Sequence, residues 1–182
     1  MTLRLITAPT TQPVSTATAK TFLRVDGTDD DTLIASLIKA VTEKGEELSR
    51  RAFITQTLEM TLDDWPADYR LVLLRPRLQS VTSVKYLDAD GVEATWTDYV
   101  VDTKSEPGAI LFNSVPGTEL LASGAITVRF VAGYGAADTD VPERIKQAIL
   151  FLAAYWYENR DMVGDVPLGI RNMFVNERVV WF

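Results

Sequence analysis

The sequence predicts an α+β protein: helices at both ends and an antiparallel β segment between them. Three observations carry this. Leu33, Ile34, Leu37, Ile38, Val41 and Leu48 recur at helical spacing. Val141 to Asp161 reads as one long helix, apolar on nearly every side. Between them, roughly Phe53 to Ala132, apolar residues alternate with polar ones in short runs divided by turn residues. Strands kept together and apart from helices argue against a parallel α/β sheet. The expected organisation is a helical part over 1–52, a β insert over 53–132, and a helical part with its tail over 133–182. The first and last of these should pack as one domain.

Taken in order, Met1 to Val14 reads as an extended lead-in, because Pro9 and Pro13 oppose helix. Ser15 is an N-cap for a short helix to about Arg24, with Ala19, Phe22 and Leu23 as its apolar face. Asp26-Gly27 breaks it. Asp29, Asp30 and Asp31 then fall at the cap and first turn of the second helix, where the dipole favours negative charge. Their spacing lacks the alternating ligands, glycine and distal glutamate of a calcium loop, so capping is the expected role.

In the β segment, Leu58, Met60 and Leu62 alternate with threonine and glutamate. Leu71 to Leu74 is a short apolar run stopped by Pro76, as near a sheet edge. Val81 to Leu87 and Val92 to Trp96 flank the turn Asp88 to Gly91. Tyr99 to Val101 and Ala109 to Phe112 are shorter strands. Ile126, Val128 and Phe130 give the clearest alternation. Gly133-Tyr134-Gly135 lacks the third glycine and the immediate helix of a dinucleotide loop, and reads as a flexible turn. In the long helix Pro142 marks the start, and Ile145, Ala148, Ile149, Leu152, Ala153 and Trp156 form the main apolar face. Leu150, Phe151, Ala154 and Tyr157 lie on its other sides. In a chain of 182 residues that second face is expected to meet a neighbouring subunit. The apolar end, with Val180, Trp181 and Phe182, either folds back onto the sheet of its own chain or docks on a partner, and these three are the interface candidates there. Leu168 to Val175 makes a last short helix.

Composition narrows the function. The chain has no cysteine and no histidine. This removes thiol nucleophiles, disulfides, Ser-His arrangements and most zinc and iron sites. With 25 acidic and 18 basic residues the net charge is −7, a poor basis for gripping phosphates. No apolar run approaches the roughly 20 residues of a membrane span, and no secretory signal is visible, so the protein is expected to be made in a cytoplasm. Glu46 and Glu47 are adjacent and do not face each other on a helix. Asp63 and Asp64 precede Trp65 in a loop. With Trp96, that grouping supports an alternative reading, a small carbohydrate-binding or carbohydrate-processing protein. Asp clusters in loops are ordinarily solvated turns, and neither acid has an identified partner to tune its pKa. Tyr155, Trp156 and Tyr157 point in three directions and cannot stack successive bases. No catalytic residue, cofactor or metal is expected.

Several stretches in this order resemble the head–tail connector proteins of tailed phages, in the branch with a β insert between its helices. These are Thr18 to Asp26 (TAKTFLRVD), the acidic Asp29 to Asp31, Leu33 to Ala40 (LIASLIKA), Leu74 to Tyr86 (LRPRLQSVTSVKY), Val131 to Gly135 (VAGYG), Val141 to Ile149 (VPERIKQAI), Tyr157 to Arg160 (YENR) and Val166 to Ile170 (VPLGI). Thr18 stands where the family often has glutamate, and Met173-Phe174 where it has a leucine pair. The resemblance implies a helical connector core, made of the N-terminal helix pair and the long C-terminal helix, with the β segment inserted. It implies a structural role without catalysis, in the virion neck. There a ring homo-oligomer, dodecameric in the particle, would contact portal protein and a tail, stopper or terminator protein. DNA would pass through without specific binding.

Overall fold

The structure is a computed structural model and describes residues 1–179. The described residues form four α-helices and eight strands in two antiparallel sheets. This corrects the expected helical core with a β insert. The protein is a strand-rich α+β fold, and its sheets make up a unit with its own core. The chain divides into a β unit, residues 1–8 and 55–133, and a helical unit, residues 9–54 and 134–179 among those described.

The five-stranded sheet has the order β1-β2-β8-β4-β5, with β1 Thr2–Thr7, β2 Gln56–Leu62, β4 Leu78–Leu87, β5 Glu93–Trp96 and β8 Ile126–Ala132. The lead-in read as merely extended is thus an edge strand. It pairs antiparallel with β2, Leu3 opposite Met60 and Leu5 opposite Leu58. An edge strand buries little, so its sequence need not alternate strongly, and only Leu3 is even half-buried. The central strand β8 is the reverse case. Its Ile126, Val128, Phe130 and Ala132 are all buried. Register places Met60 and Val84 opposite Val128 from either side, and Leu58 and Val81 opposite Phe130. Alternation of period two therefore builds one apolar face across three strands.

A second sheet, not foreseen as separate, has the order β3-β7-β6, with β3 Arg70–Val72, β6 Tyr99–Asp102 and β7 Ala109–Phe112. Leu71 and Val101 flank the fully buried Ile110. The turn between β4 and β5 follows its sequence. Asp88 Oδ1 accepts from the N–H groups of Asp90 (3.0 Å) and Val92 (2.9 Å), and Gly91 takes φ +79°.

The helical unit holds α1 Thr16–Leu23, α2 Asp31–Ser49, α3 Glu143–Glu158 and α4 Leu168–Val175. Ser15 caps α1 by accepting from Thr18 N at 3.1 Å. Helix α3 packs against α1, α2 and α4. Its Ile145, Ala148, Ile149, Leu152, Ala153 and Trp156 are buried with Ile34, Leu37, Ile38 and Val41 of α2. Phe174 of α4 lies stacked on Phe53, ring centres 6.4 Å apart, over Gly45 of α2.

Candidate functional site

The acids that a catalytic reading would need are engaged in structure. Asp63 accepts from Gly124 N at 2.7 Å and from the Ser123 hydroxyl at 3.2 Å, and these bonds hold its carboxyl below the ordinary value. Asp64 accepts from Trp65 N at 2.7 Å. Glu46 accepts from Phe53 N at 2.7 Å, and Glu47 pairs with Lys44 at 2.9 Å. Asp98 is lowered by the Ser114 hydroxyl and the Asn113 amide, and Asp102 by the Ser105 hydroxyl and by the backbone N–H groups of Ser105 and Lys104. Trp65 is ringed by Phe112 (5.2 Å), Tyr86 (6.0 Å) and Trp96 (6.5 Å), mostly edge to face. These aromatics pack on one another within the β unit and do not offer an open stacking platform. Among the described residues no group of three or more acidic side chains is placed to hold a metal. No described helix is long and apolar enough to cross a membrane.

What the helical unit does present is surface. Helix α3 is covered by three helices, and its fourth side carries the residues expected to face outward. Phe151 is 45% exposed; Ala154 and Tyr157 are half-buried. Leu150 is buried in the core of its own unit, because the neighbouring helices close over more of α3 than the helical wheel indicates. Val180, Trp181 and Phe182 lie outside the described residues.

Two features of this surface are not evident in the sequence. Phe22, read as part of the inner face of α1, is 39% exposed and meets Phe151 edge-on at 5.7 Å. Ala19 is the residue of α1 that is fully buried. The second feature is the use of the acidic cluster. Asp30 occupies the N-cap of α2 but makes no side-chain cap bond. Its carboxylate instead accepts from the Tyr157 hydroxyl at 2.5 Å and lies 3.9 Å from Arg160. That bond is the main reason the Tyr157 phenol is held above its ordinary pKa. Asp31 pairs with Lys20 at 2.5 Å. The acids tie the start of α2 to α1 and to the end of α3, where three consecutive aromatics do three jobs. Tyr155 reaches Met162 Sδ (3.2 Å), Trp156 donates to Asp165 O (2.6 Å), and Tyr157 meets Asp30.

The fold recurs in solved structures. The neck of an empty gene transfer agent particle, computed with C6 symmetry, contains a chain that matches with a TM-score of 0.82 and 24% identity, over 100% of this chain and 97% of that one. A chain in the virion of the native gene transfer agent particle matches equally well, with TM-score 0.82, 24% identity and the same coverage. A chain in the native neck computed with C12 symmetry gives a TM-score of 0.75 at the same identity and coverage. At this identity the likeness establishes the fold. No curated protein matches the chain in sequence. The profile of the head completion proteins matches residues 14–167, and the chain belongs to the head completion protein family.

Proposed function

We propose that this protein is a head–tail connector. It sits in the virion neck as a ring of identical subunits, joins the DNA-filled head to the tail, and lets DNA pass. The observation that carries this reading is the head completion match over residues 14–167. The shared fold with chains of a gene transfer agent neck supports it. The role is mechanical: subunits are held by shape and apolar contact, and no bond is made or broken. Portal protein is the expected neighbour on the head side and a stopper or tail protein on the other. The net charge of −7 suits a conduit that DNA must not adhere to.

Native mass spectrometry of the purified protein, alone and with the portal of its own particle, tests this. Multimers of a single defined size in either sample are expected. A chain that stays monomeric in both would refute the ring.

A further inference from the structure

We infer that the aromatic pair Phe22–Phe151 of one copy seats in a recess on the helical unit of the next copy. This forms the repeating contact of the ring, and it rests on the connector reading above.

The projecting side is a continuous stripe. Phe22 and Phe151 meet edge to face. Tyr155 follows Phe151 one helical turn later on the same face, and its hydroxyl reaches Met162, itself 48% exposed. Loop and helix ends hold this stripe in place through Trp156 to Asp165 O and Asn159 Nδ2 to Tyr155 O (2.9 Å). A pre-formed aromatic stripe, exposed at Phe22 and Phe151 and half-buried at Tyr155, is what the centre of an interface requires, because little side-chain freedom remains to be lost on binding.

The receiving side is a recess of about 580 Å³ formed entirely by residues of the same helical unit. Val14 and Ile38 make its floor, and the small side chains of Ala35, Ala136 and Ala137 leave it open. Its rim is built. The Thr11 hydroxyl donates to Ala136 O at 2.9 Å, and Asp140 accepts from Ala137 N at 2.9 Å. Gly135 is required for this, since any Cβ there would collide with the Asp140 side chain.

Charge favours a second copy as the occupant. Arg24, exposed in the left-handed C-cap position of α1 just past Phe22, has no ion-pair partner among the described residues. Asp138, on the rim of the recess, has none either. Seating one copy on the next would give each the partner it lacks. The stripe and the recess are separate patches of one surface, and repeated head-to-tail from copy to copy such a contact closes into a ring.

The absence of cysteine makes the test clean. Arg24→Cys and Asp138→Cys chains are prepared separately, mixed, allowed to assemble, and treated with a short bis-maleimide. Covalent dimers are expected from the mixture and from neither variant alone. Separately, Phe151→Glu should melt like the wild type yet lose multimers. Assembly without cross-links in the mixture, dimers from one variant alone, or rings from Phe151→Glu would each overturn the contact while leaving the connector intact. Failure of wild-type chains to multimerise even within the particle would instead remove the connector reading, and this contact with it.

Discussion

Gly45→Ala separates local propensity from packing in a single methyl group. In the middle of a helix, alanine is favoured over glycine by about 0.8–1 kcal/mol. Considered as a helix alone, α2 should gain from the change. The structure reverses the sign. A Cβ on residue 45 would lie 2.6 Å from Phe174 Cε1 and 3.0 Å from Phe53 Cε2. Both rings are fully buried, so neither is a loose end free to swing away. Overpacking of this kind costs about 1–3 kcal/mol. Setting the propensity gain against it leaves Gly45→Ala destabilising by about 0–2 kcal/mol. Urea unfolding followed by far-UV circular dichroism gives the midpoint. The sharper test is a double-mutant cycle with Phe174→Leu, which withdraws the nearer and more severe of the two ring contacts. In that background alanine should recover most of its helical advantage and raise the midpoint. A full helical gain in the wild-type background, or the same effect in both backgrounds, would refute the packing of α4 on α2.

Three further outcomes are expected. Leu152→Ala, at a fully buried position of α3, should cost about 2–5 kcal/mol through the cavity it leaves, read as a lowered denaturation midpoint. The depressed pKa values of Asp63, Asp98 and Asp102 mean that their ionised forms stabilise the fold. That contribution is present above the ordinary value of 3.8 and lost as pH falls through the lower folded values. Melting temperatures of the triple Asp→Asn variant should therefore depend less on pH below about 4 than those of the wild type. In a gel-shift titration at low salt, duplex DNA should remain unbound, consistent with the net charge of −7; tight, salt-sensitive binding would remove the passive-conduit idea.

Where periodicity ran long, the sequence was readable. The buried face of α3, the alternation of β8 and the limits of α4 at Leu168–Val175 follow from spacing and from proline alone. The errors arise where a residue's role depends on a distant partner. Thr2–Thr7 is a strand only because β2 lies beside it, and an edge position demands little apolar patterning. The division into two sheets depends on which strand meets which, information that local spacing does not hold. Asp30 has the composition and position of a helix cap, yet a tyrosine 127 residues away claims its carboxylate. Phe22 has the right spacing for a core residue, yet it is 39% exposed and meets Phe151 rather than the core, a contact that lies 129 residues away in sequence. Of the expected interface residues, Phe151 lies in the open, whereas Leu150 serves the core of its own unit.

The central claim is that this chain joins head to tail. Electron microscopy of particles made with its gene deleted, and again with the gene restored in trans, tests that most directly. The account predicts DNA-filled heads and separate tails in the deletion, and joined particles on complementation. Complete, joined particles in the absence of the protein would contradict it.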